Sequence, residues 1–135
     1  MKAEADKNAA DGAAYLKANA QKEGVVVLES GLQYKVVKAG EGATPKLSDT
    51  IKANYKGTFI NGETFDESPE GQPIEIPVGG VIRGWVEALQ KMKVGDKWML
   101  YIPSDLAYGP QGPPGIGPNQ TLIFEIELVE IVEQK

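Results

Sequence analysis

The chain has 135 residues, of which 41% are hydrophobic and 24% charged, so it has the size and composition of one globular domain. It contains no run of roughly 20 apolar residues that could span a membrane. Its net charge of −5 argues against nucleic-acid binding, which needs clustered Lys and Arg. Because it contains no Cys and no His, disulfides, thiolate nucleophiles, Ser-His-Asp triads and the usual zinc sites are excluded, and we expect no cofactor.

Residues 2–22 are rich in Ala and charged residues and predict one exposed helix, with Gly24 placed as its C-terminal cap. Gly12 in the middle of this helix is expected to cost roughly 1 kcal/mol relative to Ala. Its thin apolar stripe is formed by Ala13, Tyr15, Leu16 and Ala20. The stripe is too narrow for a core of its own, so we assign residues 1–24 to a helical stalk or connector and residues 25–135 to the main domain. A solvated helix end is the alternative.

Beyond the turn at Ser30-Gly31, the pattern changes from a helical period to strand-like alternation. The Asn61-Gly62 dipeptide favours a tight hairpin turn. Trp98 shares one strand face with Leu100 and Ile102 and is predicted to serve packing in the core or at the surface. Strands are predicted at residues 34–36, 51–59, 63–66, 74–76, 97–102 and 122–128.

A glycine-rich turn at Gly79-Gly80 precedes the one short helix of the main domain. Its apolar residues are spaced i, i+3, i+4 and i+7, which places them on one buried face, and they are Trp85, Ala88, Leu89 and Met92. The predicted fold is therefore α+β: a curved antiparallel sheet of about five strands wrapped on one short amphipathic helix. Residues 103–120 form a loop with five prolines and four glycines, and loops of this length are usually functional. A ligand would fit between the sheet, the helix start and this loop.

Several motifs along residues 31–132 together resemble the FK-binding-protein (FKBP) type of peptidyl-prolyl cis-trans isomerase. The motifs are Tyr55-Lys56-Gly57, Gly62-Glu63-Thr64-Phe65-Asp66, Val81-Ile82-Arg83-Gly84-Trp85, Leu106-Ala107-Tyr108-Gly109 and Thr121-Leu122-Ile123-Phe124-Glu125-Ile126-Glu127-Leu128. The N-terminal helix and the segment Ser30–Tyr34 are similar to the bacterial macrophage-infectivity-potentiator (Mip) and FkpA-like branch. In that branch a helical stalk joins the catalytic domain to a dimerisation region.

The resemblance implies a pocket with Trp85 as its floor, in which the Ile82 N–H and the Tyr108 hydroxyl bind ligand carbonyls. In such a pocket Asp66 would orient Tyr55 or interact with the twisted group. The implied catalytic residues are Tyr55, Phe65, Asp66, Ile82, Trp85, Tyr108 and Phe124. The implied substrate-binding residues are Val81, Ile74, Pro113 and Ile116. Ile74 and Pro113 differ from residues common in the family, which bears on ligand selectivity.

Each of these residues also has a purely structural interpretation. The aromatic side chains would be core residues, Asp66 would bind the Ser68 N–H in a turn, and Tyr108 would anchor a loop. The pair Glu125 and Glu127 is predicted to be a solvated strand face, because residues two apart on a strand point the same way.

The implied activity is prolyl isomerisation in flexible or unfolded protein segments. The alternatives are a non-catalytic peptide-binding chaperone module on the same fold, and a structural dimer partner acting through the helix at residues 2–22. Expected partners are proline-containing polypeptides and macrolides of the rapamycin or tacrolimus type, with no nucleic acid and no membrane span. We expect these 135 residues to be monomeric and a longer parent protein to dimerise through an N-terminal region. The branch implies the periplasm or cell envelope, with the cytoplasm as the alternative.

Overall fold

The computed structural model describes residues 2–69, 71–109, 112 and 116–132. Helix α1 spans Lys2–Asn19, and the short helix α2 spans Arg83–Leu89. The strands are β1 (Val25–Val27), β2 (Gln33–Lys38), β3 (Thr50–Phe59), β4 (Thr64–Glu67), β5 (Ile74–Pro77), β6 (Lys97–Ile102) and β7 (Leu122–Val132). Two single-turn 3₁₀ helices occupy Val78–Gly80 and Ser104–Leu106. No helix among the described residues combines the length and the apolar character needed to cross a membrane.

The strands form one antiparallel sheet in the order β1-β2-β6-β7-β3-β4, and β5 pairs with β3. The two long strands β3 and β7 pair along ten residue positions, from Thr50 opposite Val132 to Phe59 opposite Leu122. The edge of β3 opposite β7 is divided between two strands: its first half pairs with β5 and its second half with β4. The α+β prediction is confirmed: an antiparallel sheet with a short helix against it.

The described residues form seven strands, whereas the sequence predicts a sheet of about five from six strand-like segments, and β1 is the strand that these segments lack. Strand β1 was not identified because Val25–Val27 are three consecutive valines without alternation, and they lie at the sheet edge with Val26 and Val27 exposed. Pairing with β2, rather than burial of one face, makes this segment a strand.

The core lies between α2 and the inner face of the sheet. Trp85, Ala88 and Leu89 on α2, and Met92 just beyond it, are buried, as the helical spacing predicts. The sheet contributes Ile51, Ala53, Trp98, Leu100, Ile102, Phe124, Ile126 and Leu128. A Cβ on Gly84 would lie 2.7 Å from Ile102 Cγ2, so this glycine permits close packing of α2 on β6. Complete burial of a side chain such as Leu89 contributes roughly 1.5–3 kcal/mol, which fixes the helix on the sheet.

Helix α1 is docked on the domain by one face, while most of its other side chains are exposed as the sequence predicts. Asn19 is 1% exposed and donates from Nδ2 to Gln33 Oε1 at 2.8 Å, while Gln33 Nε2 donates to the Leu16 carbonyl at 2.9 Å. Gly12 is buried, and a Cβ at this position would overlap Thr121 Oγ1. The glycine that appeared unfavourable in a helix is therefore the point of closest approach between α1 and the segment before β7.

Candidate functional site

A cavity of about 450 Å³ lies between the divided edge of β3, the start of α2 and the loop after β6. Its lining is mostly aromatic and aliphatic, with one carboxylate and two tyrosine hydroxyls. The lining residues are Tyr55, Phe65, Asp66, Ile74, Ile76, Gly80, Val81, Ile82, Trp85, Tyr108 and Phe124. A concave, apolar site with a few polar groups has the character of a ligand-binding site.

Edge-to-face aromatic contacts hold the inner part of the cavity. Phe124 on β7 meets Trp85 on α2 with ring centroids 5.2 Å apart at 89°, and it meets Phe65 on β4 at 5.5 Å and 85°. Tyr55 on β3 meets Trp85 at 5.4 Å and 78°. T-shaped pairs of this kind contribute about 0.5–1.5 kcal/mol each beyond the area they bury. Because the four rings come from four different elements, they join the sheet and α2 at this point.

Gly57 on β3 leaves the space that two of these rings occupy. A Cβ at this position would lie 2.7 Å from both Phe124 Cε1 and Phe65 Cζ. The register of β3 shifts at the same place, between Gly57 and Thr58, where β4 begins to pair. The glycine and the irregular pairing together allow Phe65 to lean over the strand toward Phe124.

Tyr55 and Asp66 face each other across the β3–β4 pair. The Tyr55 hydroxyl donates to Asp66 Oδ2 at 2.9 Å. Burial, the Asp66 hydrogen bond and the nearby carboxylate charge, with a smaller contribution from Tyr108, raise the pKa of Tyr55 to about 12. The hydroxyl is therefore protonated at physiological pH and is oriented by the carboxylate.

Ser68 fixes the backbone of Tyr55 from the neighbouring edge. The Tyr55 N–H donates to Ser68 Oγ at 2.9 Å, and the Ser68 N–H donates to the Tyr55 carbonyl at 2.9 Å. The turn interpretation of Asp66, in which its carboxylate would accept the Ser68 N–H, is thus wrong. Ser68 occupies the gap between β4 and β5, where β3 would otherwise have an unpaired residue.

The entrance to α2 forms another wall of the cavity. Ile82 has an extended backbone at the helix N-cap, and its carbonyl accepts hydrogen bonds from the Trp85 and Val86 amides. Within the described part of the chain, the Ile82 N–H donates to no protein acceptor. Tyr108 lies at the opposite rim and is 42% exposed. These two residues offer donors at the cavity, one from the backbone and one from a hydroxyl.

Comparison with known proteins places this geometry in a family. A family model described as "FKBP-type peptidyl-prolyl cis-trans isomerase" matches residues 41–129, and a model described as "Domain amino terminal to FKBP-type peptidyl-prolyl isomerase" matches residues 1–36. The chain belongs to the FKBP-type peptidyl-prolyl cis-trans isomerase family. The resemblance noted in the sequence motifs is therefore confirmed.

Individual relatives of this FKBP-type chain agree in sequence and in fold. It is 51% identical over 129 residues to "Outer membrane protein MIP" of Legionella longbeachae, covering 94% of this chain and 55% of that protein. The crystal structure of FkpA from Escherichia coli superposes with a TM-score of 0.93 at 47% identity, covering 97% of this chain and 62% of that one. A peptidyl-prolyl cis-trans isomerase from Pseudomonas syringae pv. tomato superposes with a TM-score of 0.89 at 34% identity, covering 95% of this chain and 96% of that one. The chain spans about half the length of the curated relatives it matches.

Nine of the eleven site residues predicted for this FKBP-type domain line the aromatic cavity of about 450 Å³. Ile116 does not. It lines a separate cavity of about 300 Å³, formed by α1, the β3–β4 hairpin and the end of the long loop. Ile116 shares this cavity with Asn8 and Asp11 of α1 and not with Trp85. Pro113 lies outside the described residues.

Sequence reasoning missed residues that complete the site of this FKBP-type domain. Ile76 and Gly80 line the cavity, and Ser68 and Gly57 shape its wall. Ile76 could have been found, because it alternates with Ile74 and so faces the same side of the strand. The Ser68 and Gly57 contacts depend on strand register, which the sequence does not specify.

A larger cavity of about 590 Å³ lies on the outer face of the sheet and has a different character. Its lining is polar: Lys97 pairs with Glu125 at 2.7 Å, and Asn54 Nδ2 donates to Glu127 Oε1 at 3.1 Å. Glu125 and Glu127 are thus partly exposed on a polar face, in keeping with the predicted solvated strand face, and each has a polar partner. The described residues contain no cluster of acidic ligands that could hold a metal ion. The smaller aromatic cavity is the better candidate site because it combines apolar walls with unpaired donors.

Proposed function

We propose that the chain is a peptidyl-prolyl cis-trans isomerase that accelerates rotation about Xaa-Pro bonds in flexible segments of proteins. The observation that carries this proposal is the aromatic cavity, in which Trp85 and Phe124 are about 95% buried while Tyr108 stands exposed at the rim. A proline ring is a compact apolar group that packs well on aromatic faces, and the cavity volume suits one residue and its neighbours. Membership of the isomerase family is independent support.

The chemistry needs no nucleophile, in keeping with a chain that has neither Cys nor His. The barrier to rotation is ~18–20 kcal/mol, set by amide resonance, and unaided exchange takes roughly tens to hundreds of seconds. Resonance places negative charge on the carbonyl oxygen, which water stabilises. An apolar cavity that removes this water weakens the resonance, and a shape that fits the twisted imide better than the planar forms lowers the barrier further.

The rings supply the desolvating surface in this proposal. Trp85 serves as the floor, with Phe65 and Phe124 as the adjoining walls, and Ile74 and Val81 hold the substrate at the sides. These side chains exclude water from the imide without forming a bond to it.

Two donors would hold the carbonyls that flank the rotating bond. They are the Ile82 N–H, which has no acceptor among the described residues, and the Tyr108 hydroxyl at the rim. A neutral hydrogen bond contributes a net ~0.5–1.5 kcal/mol, so each donor assists rotation without being indispensable. Asp66 orients Tyr55 through the 2.9 Å hydrogen bond and keeps its ring in the wall.

The direct test is the exchange rate of a short Leu-Pro or Phe-Pro peptide, measured by NMR exchange spectroscopy with and without the protein. We expect the cis and trans signals of the peptide to exchange faster when the protein is present. Unchanged exchange in the presence of folded protein would overturn the proposal. Peptide binding without faster exchange would point to the non-catalytic chaperone module instead.

The chain offers a matched pair of variants for this assay, because Trp85 and Trp98 are both 5% exposed. Trp85 lines the cavity, whereas Trp98 packs elsewhere in the core and stacks on Tyr34 with centroids 4.1 Å apart. We expect Trp85→Phe to lower kcat/KM and Trp98→Phe to lower stability alone. Equal losses of activity in the two variants would show that the cavity floor has no special role.

The domain organisation, the ligands and the location are tested separately. We assign residues 1–24 to a helical segment that is docked on the domain, and residues 25–135 to the isomerase domain. The proposed substrates are proline-containing polypeptides, and macrolides of the rapamycin or tacrolimus type are the proposed competing ligands. Sedimentation should give a monomer for this chain and a dimer for a longer parent. A cell-envelope or periplasmic location is supported by the relative named an outer membrane protein, and fractionation of cells making the full protein tests it.

A further inference from the structure

We infer that Asn119 is a positioning residue that links the docking of α1 to the placement of Tyr108 at the rim of the cavity. This inference rests on the proposed function, in which the Tyr108 hydroxyl binds substrate. Asn119 itself does not line the cavity. It would act through its contacts with the segment that bears Tyr108 and with the helix.

The backbone of Asn119 holds the residue next to Tyr108. Its N–H donates to the Gly109 carbonyl at 2.8 Å, and the Gly109 N–H donates to the Ser104 carbonyl at 2.8 Å. Asn119 has a φ of 52°, in the left-handed region that Asn tolerates better than most residues. The two ends of the long loop are therefore joined at Gly109, immediately beside Tyr108.

The side chain of Asn119 reaches α1. Its Nδ2 donates to the Ala5 carbonyl at 3.2 Å, and in the reverse direction Asn8 Nδ2 on the helix donates to the Pro118 carbonyl at 2.8 Å. Two residues further along, Thr121 is the closest neighbour of Gly12 on the helix. The segment 118–121 is thus bound to α1 by reciprocal hydrogen bonds and by close packing.

Tyr108 depends on such backbone anchors because its own side chain is not buried. It is 42% exposed. Among the described residues its hydroxyl makes no hydrogen bond, and it interacts electrostatically with Tyr55, whose pKa it helps to raise. The preceding 3₁₀ turn at Ser104–Leu106 restrains it on one side, and the bond between Asn119 and Gly109 restrains it on the other. Docking of α1 would therefore restrict the positions that the Tyr108 hydroxyl can adopt at the rim.

The test is a double-mutant cycle between Asn119→Asp and Tyr108→Phe, measured as kcat/KM in the peptide exchange assay. Asp keeps the shape of Asn but cannot donate to the Ala5 carbonyl. We expect Asn119→Asp to lower kcat/KM by about two- to tenfold in the natural chain, the range for loss of one hydrogen bond. In the Tyr108→Phe background we expect a loss of less than about twofold, because the hydroxyl that Asn119 positions is already absent.

Two further variants make the cycle specific. Asn8→Asp breaks the reciprocal bond to the Pro118 carbonyl and should give the same pattern, and it carries the test if Asn119→Asp fails to fold. Lys7→Ala removes an exposed ion pair with Asp11 on the same helix and should leave kcat/KM unchanged. In ¹⁵N spectra the Gly109 amide signal should move in the two Asn variants and stay in place in Lys7→Ala.

The outcomes separate this inference from the proposed function. If Tyr108→Phe alone does not slow exchange while the natural chain is active, the role of Tyr108 is wrong and the link through Asn119 is overturned with it. If Tyr108→Phe slows exchange but Asn119→Asp has the same effect in both backgrounds, only the link is overturned. An unmoved Gly109 signal in both Asn variants also overturns it.

Discussion

Replacing Gly12 with Ala distinguishes a docked α1 from a free helical stalk, because the two arrangements predict opposite changes in stability. In an exposed helix, Gly→Ala stabilises the folded state by roughly 1 kcal/mol, since Gly loses more backbone entropy on folding. In the structure, the added Cβ would overlap Thr121 Oγ1 and lie 3.1 Å from Thr121 Cβ. Thr121 is 4% exposed, so it has little room to move away.

The magnitude follows from these two effects. An extra methyl group in a well-packed contact costs about 1–3 kcal/mol, and the better helix propensity of Ala offsets roughly 1 kcal/mol of that. We therefore expect Gly12→Ala to lower the free energy of unfolding by about 1 kcal/mol, which is about 4 °C in Tm for a domain of this size. The loss cannot exceed the free energy of docking, because the helix can detach instead.

Urea unfolding followed by circular dichroism measures the change, and two variants calibrate it. Ala13→Gly changes the neighbouring exposed position and should lower stability by roughly 1 kcal/mol through propensity alone. Thr121→Ala removes Oγ1, the atom that the new methyl group would overlap, so Gly12→Ala should be less destabilising in that background. If Gly12→Ala instead stabilises the chain by as much as Ala13→Gly destabilises it, α1 is not docked and the reasoning is refuted.

The remaining predictions concern the cavity. Gly57→Ala should destabilise the chain by about 1–3 kcal/mol and lower kcat/KM by displacing the two phenylalanine rings, whereas Gly79→Ala, whose nearest neighbour would lie at 3.4 Å, should change neither. Because the folded chain raises the Tyr55 pKa from 10.0 to about 12, the stabilisation from its retained proton is complete below pH 10.0 and is lost between pH 10.0 and about 12. The free energy of unfolding, measured with urea at each pH, should therefore fall less steeply across this range in Tyr55→Phe than in the natural chain. Identical pH profiles would contradict the raised pKa of Tyr55. Asp66→Asn should slow peptide exchange by at most about tenfold, and complete loss of activity in a folded variant would contradict rotation by desolvation and twist.

The sequence predicts the central elements correctly because their buried faces consist of apolar residues at a regular spacing. The alternation in β3, β6 and β7 and the helical spacing from Trp85 to Met92 identify the inner faces that the structure buries. The motifs also identify nine residues of the cavity, since strand ends and helix starts near Trp85 converge in this fold.

The tertiary structure alone decided the docking of α1 and the environment of Ile116, and it selected Tyr55 over the Ser68 N–H as the hydrogen-bond partner of Asp66. The docked face of α1 includes the apolar stripe residues Tyr15 and Leu16, with Ala20 just beyond the helix. It also includes Asn8, Gly12 and Asn19, which no hydrophobic pattern marks. These residues can pack against the domain because Pro118 and Gln33 form hydrogen bonds with the two asparagines and Thr121 packs closely on Gly12. The partners are distant in sequence, so the local sequence does not reveal them. Periodicity reports which side of an element is apolar; which polar groups meet is set by register and docking.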